Sequence, residues 1–178
     1  FAMSDEQENS ITLGFEAKRL FNSLTGFGAY SRNLLHGLNK NCPNHLYYLF
    51  SPSIKSINDD LADLLSQKSI VCKQLGDQGR IARLIKNYWI YRNSRLDLYH
   101  GLSQQIPRSI RLLRCPKTVT IHDLAYKYYP TSDTLWELER RDQGILDACD
   151  IADRIVAVSE STKRDLIEIF QIPAKKKQ

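Results

Sequence analysis

Short apolar segments alternate with longer segments of helical periodicity along the chain, and this alternation constrains the fold more than any other feature. The predicted strands cover residues 11–16, 45–50, 69–75, 96–101, 117–122 and 154–159. Strands that alternate with helices form parallel sheets with helices on both faces. The sequence therefore predicts an α/β fold, and its 178 residues suffice for one such core.

The predicted strand 117–122 ends in a titratable pair. Threonines alternate with Val and Ile in this run, His122 is its last residue, and Asp123 follows at once. Ligands of open α/β sheets bind outside the carboxyl ends of the strands, and a His beside an Asp there can transfer protons or orient a hydroxyl. A structural alternative is a polar strand end whose Asp123 caps the next turn.

A glycine-containing turn follows the first predicted strand. Residues 17–27 form a long predicted loop that leads into Thr25-Gly26-Phe27-Gly28, and helical periodicity starts at Ala29. Such a turn lets backbone N–H groups and a helix N-terminus approach an anionic ligand. The dinucleotide-binding fingerprint is incomplete, because Ser31 stands where its third glycine would be. An ordinary turn that begins a helix is equally consistent with the pattern.

The basic charge is concentrated in one region. Residues 78–122 carry nine Lys or Arg and one acid, whereas the whole chain has a formal charge of +5. Within this region, residues 80–95 predict a helix whose apolar face packs on the protein and whose basic face meets solvent. The apolar residues at helical spacing are Ile81, Leu84, Ile85, Tyr88 and Trp89.

A second basic segment follows residues 80–95. Arg108, Arg111 and Arg114 recur every three residues with apolar residues between them, which indicates contact with anionic lipid headgroups at a membrane surface. A solvated surface and a nucleic-acid-binding surface are the alternatives. The sequence contains no recognised nucleic-acid-binding motif, so we expect no nucleic-acid partner.

The remaining composition places the chain in a reducing compartment. Its four cysteines are far apart, and no histidine is spaced to complete a zinc site with them, so we expect free thiols. No apolar run approaches the roughly 18 residues of a membrane span or resembles a signal peptide. We therefore expect a cytoplasmic protein, peripheral at the inner face of the cell membrane, with residues 1–10 as a tag remnant and disordered N-terminus.

Four stretches in order resemble the N-terminal, acceptor-side domain of a retaining glycosyltransferase of family 4. They comprise residues 15–19 with 25–35, 97–100, 119–130 and 152–162. The family's two Rossmann-like domains face each other across a cleft, an arrangement called GT-B. The resemblance spans residues 11–172 and implies a Rossmann-like parallel sheet as one half of that fold, an interdomain linker from residue 173, and an absent C-terminal donor domain. It is greatest to bacterial polysaccharide mannosyltransferases.

The resemblance and the residue chemistry together predict three groups of site residues. The groups are Gly26, Phe27 and Gly28 at the donor diphosphate, His122 and Asp123 at the reacting sugar, and His100, Tyr126 and Tyr128 at the acceptor. The aromatic rings and the strand-end histidine of the acceptor group suit a sugar's apolar faces and hydroxyls. We expect Glu16 and Arg19 to be structural or cleft-lining, with no catalytic role.

The implied activity is retaining transfer of a sugar from a nucleotide-sugar donor to a growing polysaccharide or lipid-linked saccharide. GDP-mannose is the first candidate donor and a UDP-sugar the second. Such transfer needs fixed hydrogen-bond donors at the phosphates and a closely positioned acceptor hydroxyl. We expect no cofactor and no metal, and no activity from this domain without its donor domain. The alternatives are a Rossmann-type nucleotide-binding module without transferase activity and a basic nucleic-acid-binding domain.

Overall fold

The computed structural model describes residues 10–23, 25–54, 59–76, 79–129 and 134–173. Residues 1–9 of the predicted tag remnant (1–10) and residues 174–178 of the predicted linker (173–178) lie outside these ranges. Six parallel strands form one sheet in the order β3-β2-β1-β4-β5-β6. The strands are β1 (Thr12–Glu16), β2 (Leu46–Ser51), β3 (Ile70–Gln74), β4 (Leu98–Gly101), β5 (Lys117–Ile121) and β6 (Arg154–Ala157).

This strand order is that of Rossmann-type sheets, so the predicted α/β fold is confirmed. The order reverses between β1 and β4, and a crevice opens there at the carboxyl ends of the strands. The helices are α1 (Lys18–Asn22), α2 (Gly26–Asn41), α3 (Asp59–Ser66), α4 (Arg80–Asn93), α5 (Leu135–Ile151) and α6 (Glu160–Glu168). Two 3-10 helices, Arg108–Leu112 and Ala125–Lys127, complete the described elements.

Most predicted elements are confirmed, and the main error concerns residues 17–27. This segment is not a loop, because α1 forms within it and buries Leu20 and Phe21 in the core. Helix α2 consequently begins at Gly26 rather than at Ala29. A capping box opens α5, as the sequence pattern Thr134-Leu-Trp-Glu137 predicts: Thr134 accepts from the Glu137 N–H, and the Glu137 carboxylate accepts from the Thr134 N–H.

Two hydrophobic clusters pack against opposite faces of the sheet. One contains side chains of α1, α2 and α3 together with Leu13 and Leu49 of the strands. The other contains side chains of α4, α5 and α6 together with Phe50 and Val119. Leu49 and Phe50 are neighbours that point to opposite faces, as strand geometry requires. The expected covering of both sheet faces is therefore present.

The prediction that the apolar face of α4 packs on the protein is wrong. Ile81, Ile85 and Trp89 are 73%, 56% and 54% exposed, whereas Asn87 and Tyr91 are buried. The Tyr91 ring packs edge-on against Phe50 at a centroid distance of 4.7 Å, and the Asn87 Oδ1 accepts the Gly76 N–H at 2.9 Å. These two contacts fix the helix so that the aliphatic stripe turns outward.

All four cysteines are free thiols, as expected. Within the described ranges, no helix is both long and apolar enough to span a bilayer. No cluster of three or more His, Cys, Asp or Glu side chains suited to a metal ion occurs among the same residues.

Candidate active site

His122 lies at the crevice, one residue beyond the end of β5. Its Nε2 donates a hydrogen bond of 2.8 Å to the Leu102 carbonyl in the loop after β4. A carbonyl oxygen can only accept, so Nε2 carries the proton and Nδ1 is the nitrogen left for a ligand. The His122 carbonyl accepts from the Thr162 hydroxyl at 2.9 Å, which ties this backbone to α6. The residue is half-buried and held on both sides.

Two aromatic rings of α2 hold the imidazole edge-on. The Phe27 ring centroid lies 4.6 Å from that of His122, and the Tyr30 centroid lies 4.7 Å from it. Edge-to-face packing at such distances is the preferred geometry of aromatic pairs. Phe27, predicted at the donor diphosphate, therefore also contacts the predicted catalytic histidine.

The start of α2 depends on a close backbone approach. A Cβ atom on Gly28 would lie 2.0 Å from the Ser23 carbonyl oxygen, so only glycine fits there. A Cβ atom on Gly26 would meet no heavy atom within 4 Å. The Gly28 N–H donates to the Thr25 carbonyl at 3.0 Å, whereas the N–H groups of Gly26 and Phe27, at the positive end of the helix dipole, have no partner in the described part of the chain. The N-terminus of α2 therefore presents donors suited to an anionic group.

Asp123 is exposed and accepts the Ala125 N–H at 3.1 Å, so it does cap the following turn. Its carbonyl oxygen accepts from the Gln104 side chain at 3.3 Å. Asp123 also borders an open cavity of about 640 Å³ at the crevice. Neither His122 nor His100 is among the residues that line it. The lining includes Arg19, Phe27, Ser103, Gln104, Asp123, Tyr126, Tyr129, Trp136, Arg140 and Arg141.

Arginines lie over aromatic rings around this cavity. The distances from guanidinium carbon to ring centroid are 5.3 Å for Arg140 over Trp136 and 5.8 Å for Arg19 over Phe27. A second cavity of about 510 Å³ shares Gln105 with the first and extends towards α4. Aromatic faces suit the apolar faces of sugars, and guanidinium groups suit phosphate or carboxylate. The arrangement can bind a saccharide that carries negative charge.

Comparison with known proteins identifies the family of the chain. The family model described as Glycosyltransferase Family 4 matches residues 26–177, which is most of the chain. The chain belongs to glycosyltransferase family 4. No curated protein matches the chain.

Three solved structures that are similar to this family 4 domain are distant from it in sequence. The structure of Anabaena Alr3699/HepE in complex with UDP and glucose aligns with a TM-score of 0.62 at 14% identity, covering 94% of this chain and 43% of that one. A glycosyltransferase from Rickettsia africae aligns with a TM-score of 0.55 at 13% identity, covering 96% of this chain and 42% of that one. The apo lipopolysaccharide outer core galactosyltransferase WaaB aligns with a TM-score of 0.54 at 14% identity, covering 95% of this chain and 44% of that one.

These alignments show the fold, which matches one half of the GT-B glycosyltransferase architecture. The family 4 domain described here spans less than half the length of those structures. The predicted likeness to family 4 is therefore confirmed at the level of family and fold.

The predicted acceptor residues of the family 4 domain lie in different surroundings. Tyr126 lines the larger cavity, and its hydroxyl donates to Asp142 at 2.7 Å. Burial, followed by this hydrogen bond, raises the pKa of Tyr126. Tyr128 points to α6, where its hydroxyl donates to Asp165 at 2.7 Å, and it does not line the cavity. Tyr129, the next residue, does line it.

His100 lies inside the domain, beside β5. Its Nε2 shares a hydrogen bond of 2.8 Å with the Thr120 hydroxyl, and the Tyr30 hydroxyl lies 3.3 Å from the same oxygen. Burial, and secondarily the nearby His122, lower the pKa of His100 to about 4. The neutral imidazole is therefore the form that this packing favours.

Glu16 ends β1 at the crevice and is buried. Its carboxylate accepts from the Ser103 hydroxyl and, at 2.9 Å, from the Lys18 N–H. Burial raises the pKa of Glu16, and these hydrogen bonds oppose the increase. Glu16 thus joins the loops after β1 and β4, which agrees with the structural alternative expected for it.

Sequence reasoning missed the loop after β4. A Cβ atom on Gly101 would lie 2.3 Å from the Gln105 carbonyl oxygen, so the glycine lets this loop fold back over the strand end. Gln104 adopts a positive φ of 63° and donates its N–H to the Thr120 carbonyl at 3.1 Å. Such a backbone costs about 1 kcal/mol and is typical of functional loops. Gly101 directly after a strand-end histidine was the available signal.

Proposed function

We propose that this chain is the N-terminal, acceptor-side half of a retaining glycosyltransferase that moves a sugar from a nucleotide-sugar donor to a growing polysaccharide or lipid-linked saccharide. The observation that carries the proposal is the convergence of His122, the α2 N-terminus and an aromatic, arginine-lined cavity at the sheet's switch point in a family 4 chain. This is the crevice where ligands of such sheets bind.

Each group of residues has a distinct proposed role. The donor diphosphate lies at the α2 N-terminus, where Gly28 allows the close turn and the helix dipole offsets negative charge. His122 presents Nδ1 to the transferred sugar while Phe27 and Leu102 hold its ring. Asp123 borders the acceptor cavity. The leaving phosphate assists deprotonation of the acceptor hydroxyl, so no metal or cofactor enters the proposal.

The acceptor occupies the larger cavity. Tyr126 and the neighbouring Tyr129 provide apolar ring faces for the sugar, while Arg140 favours a negatively charged group on it. His100 supports the site through Thr120 rather than by direct contact. Tyr128 holds the 3-10 helix that precedes it against α6 through Asp165.

GDP-mannose remains the first candidate donor, on the likeness of the loop motifs to mannosyltransferases. The Anabaena structure contains UDP and glucose, and WaaB is a galactosyltransferase, so UDP-sugars are the second candidates. Because the chain spans less than half of those structures, we propose that a second domain supplies most of the nucleotide contacts and that this chain alone transfers nothing.

The decisive experiment measures nucleoside diphosphate release by the longer, two-domain protein. The panel contains GDP-mannose, UDP-glucose and UDP-galactose, each with and without a lipid-linked saccharide extract. We expect release from one donor, and a fall of about a hundredfold in His122→Ala because the site loses its positioned imidazole. His36→Ala, a histidine of α2 that lines neither cavity, is the matched control and should retain full activity.

Three outcomes would contradict parts of this proposal. An unchanged rate in His122→Ala would remove the histidine from the reaction. Silence across the panel from a folded two-domain protein would favour a nucleotide-binding module without transferase activity. Robust release by the present chain alone would show that no second domain is needed.

A further inference from the structure

Helix α4 exposes an apolar stripe that the protein itself does not cover. Ile81, Ile85 and Trp89 recur every four residues and are 73%, 56% and 54% exposed. They point away from the buried side of the helix, which is formed by Asn87 and Tyr91. A contiguous exposed apolar surface of this kind usually marks an interaction site.

The same helix carries only positive charge. Four Lys or Arg and no Asp or Glu occur within Arg80–Asn93. The Arg92 guanidinium lies 5.9 Å from the Trp89 ring centroid and donates to the Tyr88 hydroxyl at 3.1 Å. Lys86, next to Ile85, is exposed. The stripe therefore has cationic groups along its length and a tryptophan near one end.

The segment predicted to contact a membrane, residues 108–114, differs from α4 because two of its three arginines pair with carboxylates. Arg108 forms an ion pair of 2.6 Å with Asp147, and Arg111 forms one with Asp150. Two of the three predicted arginines thus have their charge offset by α5. The 3-10 helix Arg108–Leu112 packs against α4, and its 71% exposed Leu112 lines a surface cavity together with Tyr88 and Arg92 of α4.

We propose that α4, extended by Leu112, is the surface through which the domain binds a bilayer that contains anionic phospholipid. Apolar side chains of such a helix enter the boundary between headgroups and acyl chains, where tryptophan is favoured, and the basic side chains meet the lipid phosphates. The proposal moves the predicted membrane contact from Arg108 and Arg111 to Ile85 and Trp89. It does not depend on sugar transfer, so either proposal can fail without the other.

Vesicle flotation tests the surface. The chain should float with vesicles of phosphatidylcholine mixed with phosphatidylglycerol, and about tenfold less with phosphatidylcholine alone or at high salt. The variant Ile85→Gln with Trp89→Gln should lose at least about tenfold in binding, because two apolar side chains no longer leave water. Its thermal midpoint should match that of the wild type, since both side chains are exposed.

Helix α5 supplies a matched control. Leu135 and Trp136 are 81% and 64% exposed, but Glu137 and Glu139 accompany them. Leu135→Gln with Trp136→Gln makes a similar chemical change on another helix, and this variant should float like the wild type. Equal loss in both double variants would overturn the proposal, as would undiminished flotation of the α4 variant or no flotation of the wild type.

Tryptophan emission gives a direct second readout. The chain contains two tryptophans, one on each of these helices. In Trp136→Phe the remaining Trp89 should shift to shorter wavelength when anionic vesicles are added, whereas Trp136 in Trp89→Phe should not shift. A dimer that Ile85→Gln with Trp89→Gln dissociates, without vesicle binding, would assign the stripe to a second copy instead. A salt-sensitive shift of duplex DNA without vesicle binding would assign it to nucleic acid.

Discussion

The two histidines that end neighbouring strands have similar sequence contexts and different structural surroundings. The strand register pairs His100 with Thr118, so His100 lies within the sheet, beside β5. His122 lies four residues beyond Thr118 and follows the last residue of β5. One imidazole hydrogen-bonds Thr120 inside the domain, and the other lies at the crevice against two aromatic rings.

The comparison teaches that a strand-end histidine is placed by register and not by its position in a motif. His100 has its Nε2 bonded to a threonine of the sheet, and burial keeps it neutral. His122 gives its Nε2 to a loop carbonyl and keeps Nδ1 for a ligand. Tyr30 connects the two regions, because its ring contacts His122 and its hydroxyl reaches Thr120.

The largest expected effect concerns the helix start that places aromatic rings against His122. Gly28→Ala should lower the free energy of unfolding by more than about 3 kcal/mol, because its Cβ would overlap the Ser23 carbonyl oxygen. Gly26→Ala is the matched control and should change it by less than about 0.5 kcal/mol, since no atom lies near its Cβ. Urea unfolding measures both, and similar stabilities of the two variants would contradict the close approach.

The next effect concerns His100, the histidine that bonds within the sheet. The pKa of His100 is about 4 in the folded state, whereas that of an unperturbed histidine is 6.5. The unfolded chain therefore binds a proton as pH falls through 6.5, while the folded chain does not. The contribution of His100 to the free energy of unfolding is therefore fully present above pH 6.5, and it should decline by up to about 3 kcal/mol as pH falls to 4.

His100→Gln tests this pH dependence, because glutamine retains a polar side chain and does not titrate. The wild type minus variant difference in unfolding free energy, measured in urea at several pH values, should fall between pH 6.5 and 4. A flat difference would show that His100 is not held neutral by the fold.

The smallest effect concerns Thr120, which bonds His100 and lies two residues before His122. Thr120→Val should destabilise the domain by about 2 kcal/mol, since the half-buried His100 loses the hydrogen bond to the buried Thr120 hydroxyl. Thr118→Val, on the same strand, should cost less than about 0.5 kcal/mol, because no side-chain hydrogen bond of Thr118 occurs in the described part of the chain. Equal costs in thermal unfolding would remove Thr120 from its connecting role.

Much of the fold was predictable because its signals are local. The short apolar segments predicted all six strands, and the Thr134 capping box predicted the start of α5. The five-residue helix α1 was missed, since it is too short for periodicity and forms because Leu20 and Phe21 reach the core. The α4 face was assigned wrongly because burial there selects Tyr91 and Asn87, both polar, over the aliphatic residues.

The sequence by itself determined the alternating strands and helices, the family, the glycines of the α2 start and the histidine that follows β5. Tertiary structure alone decided which histidine bonds within the sheet, which tyrosine borders the cavity and which face of α4 meets solvent. The physical reason is that periodicity and turn chemistry act over a few neighbouring residues. Register, burial and cavity walls depend on contacts between segments far apart in the chain, such as the bond between His100 and Thr120.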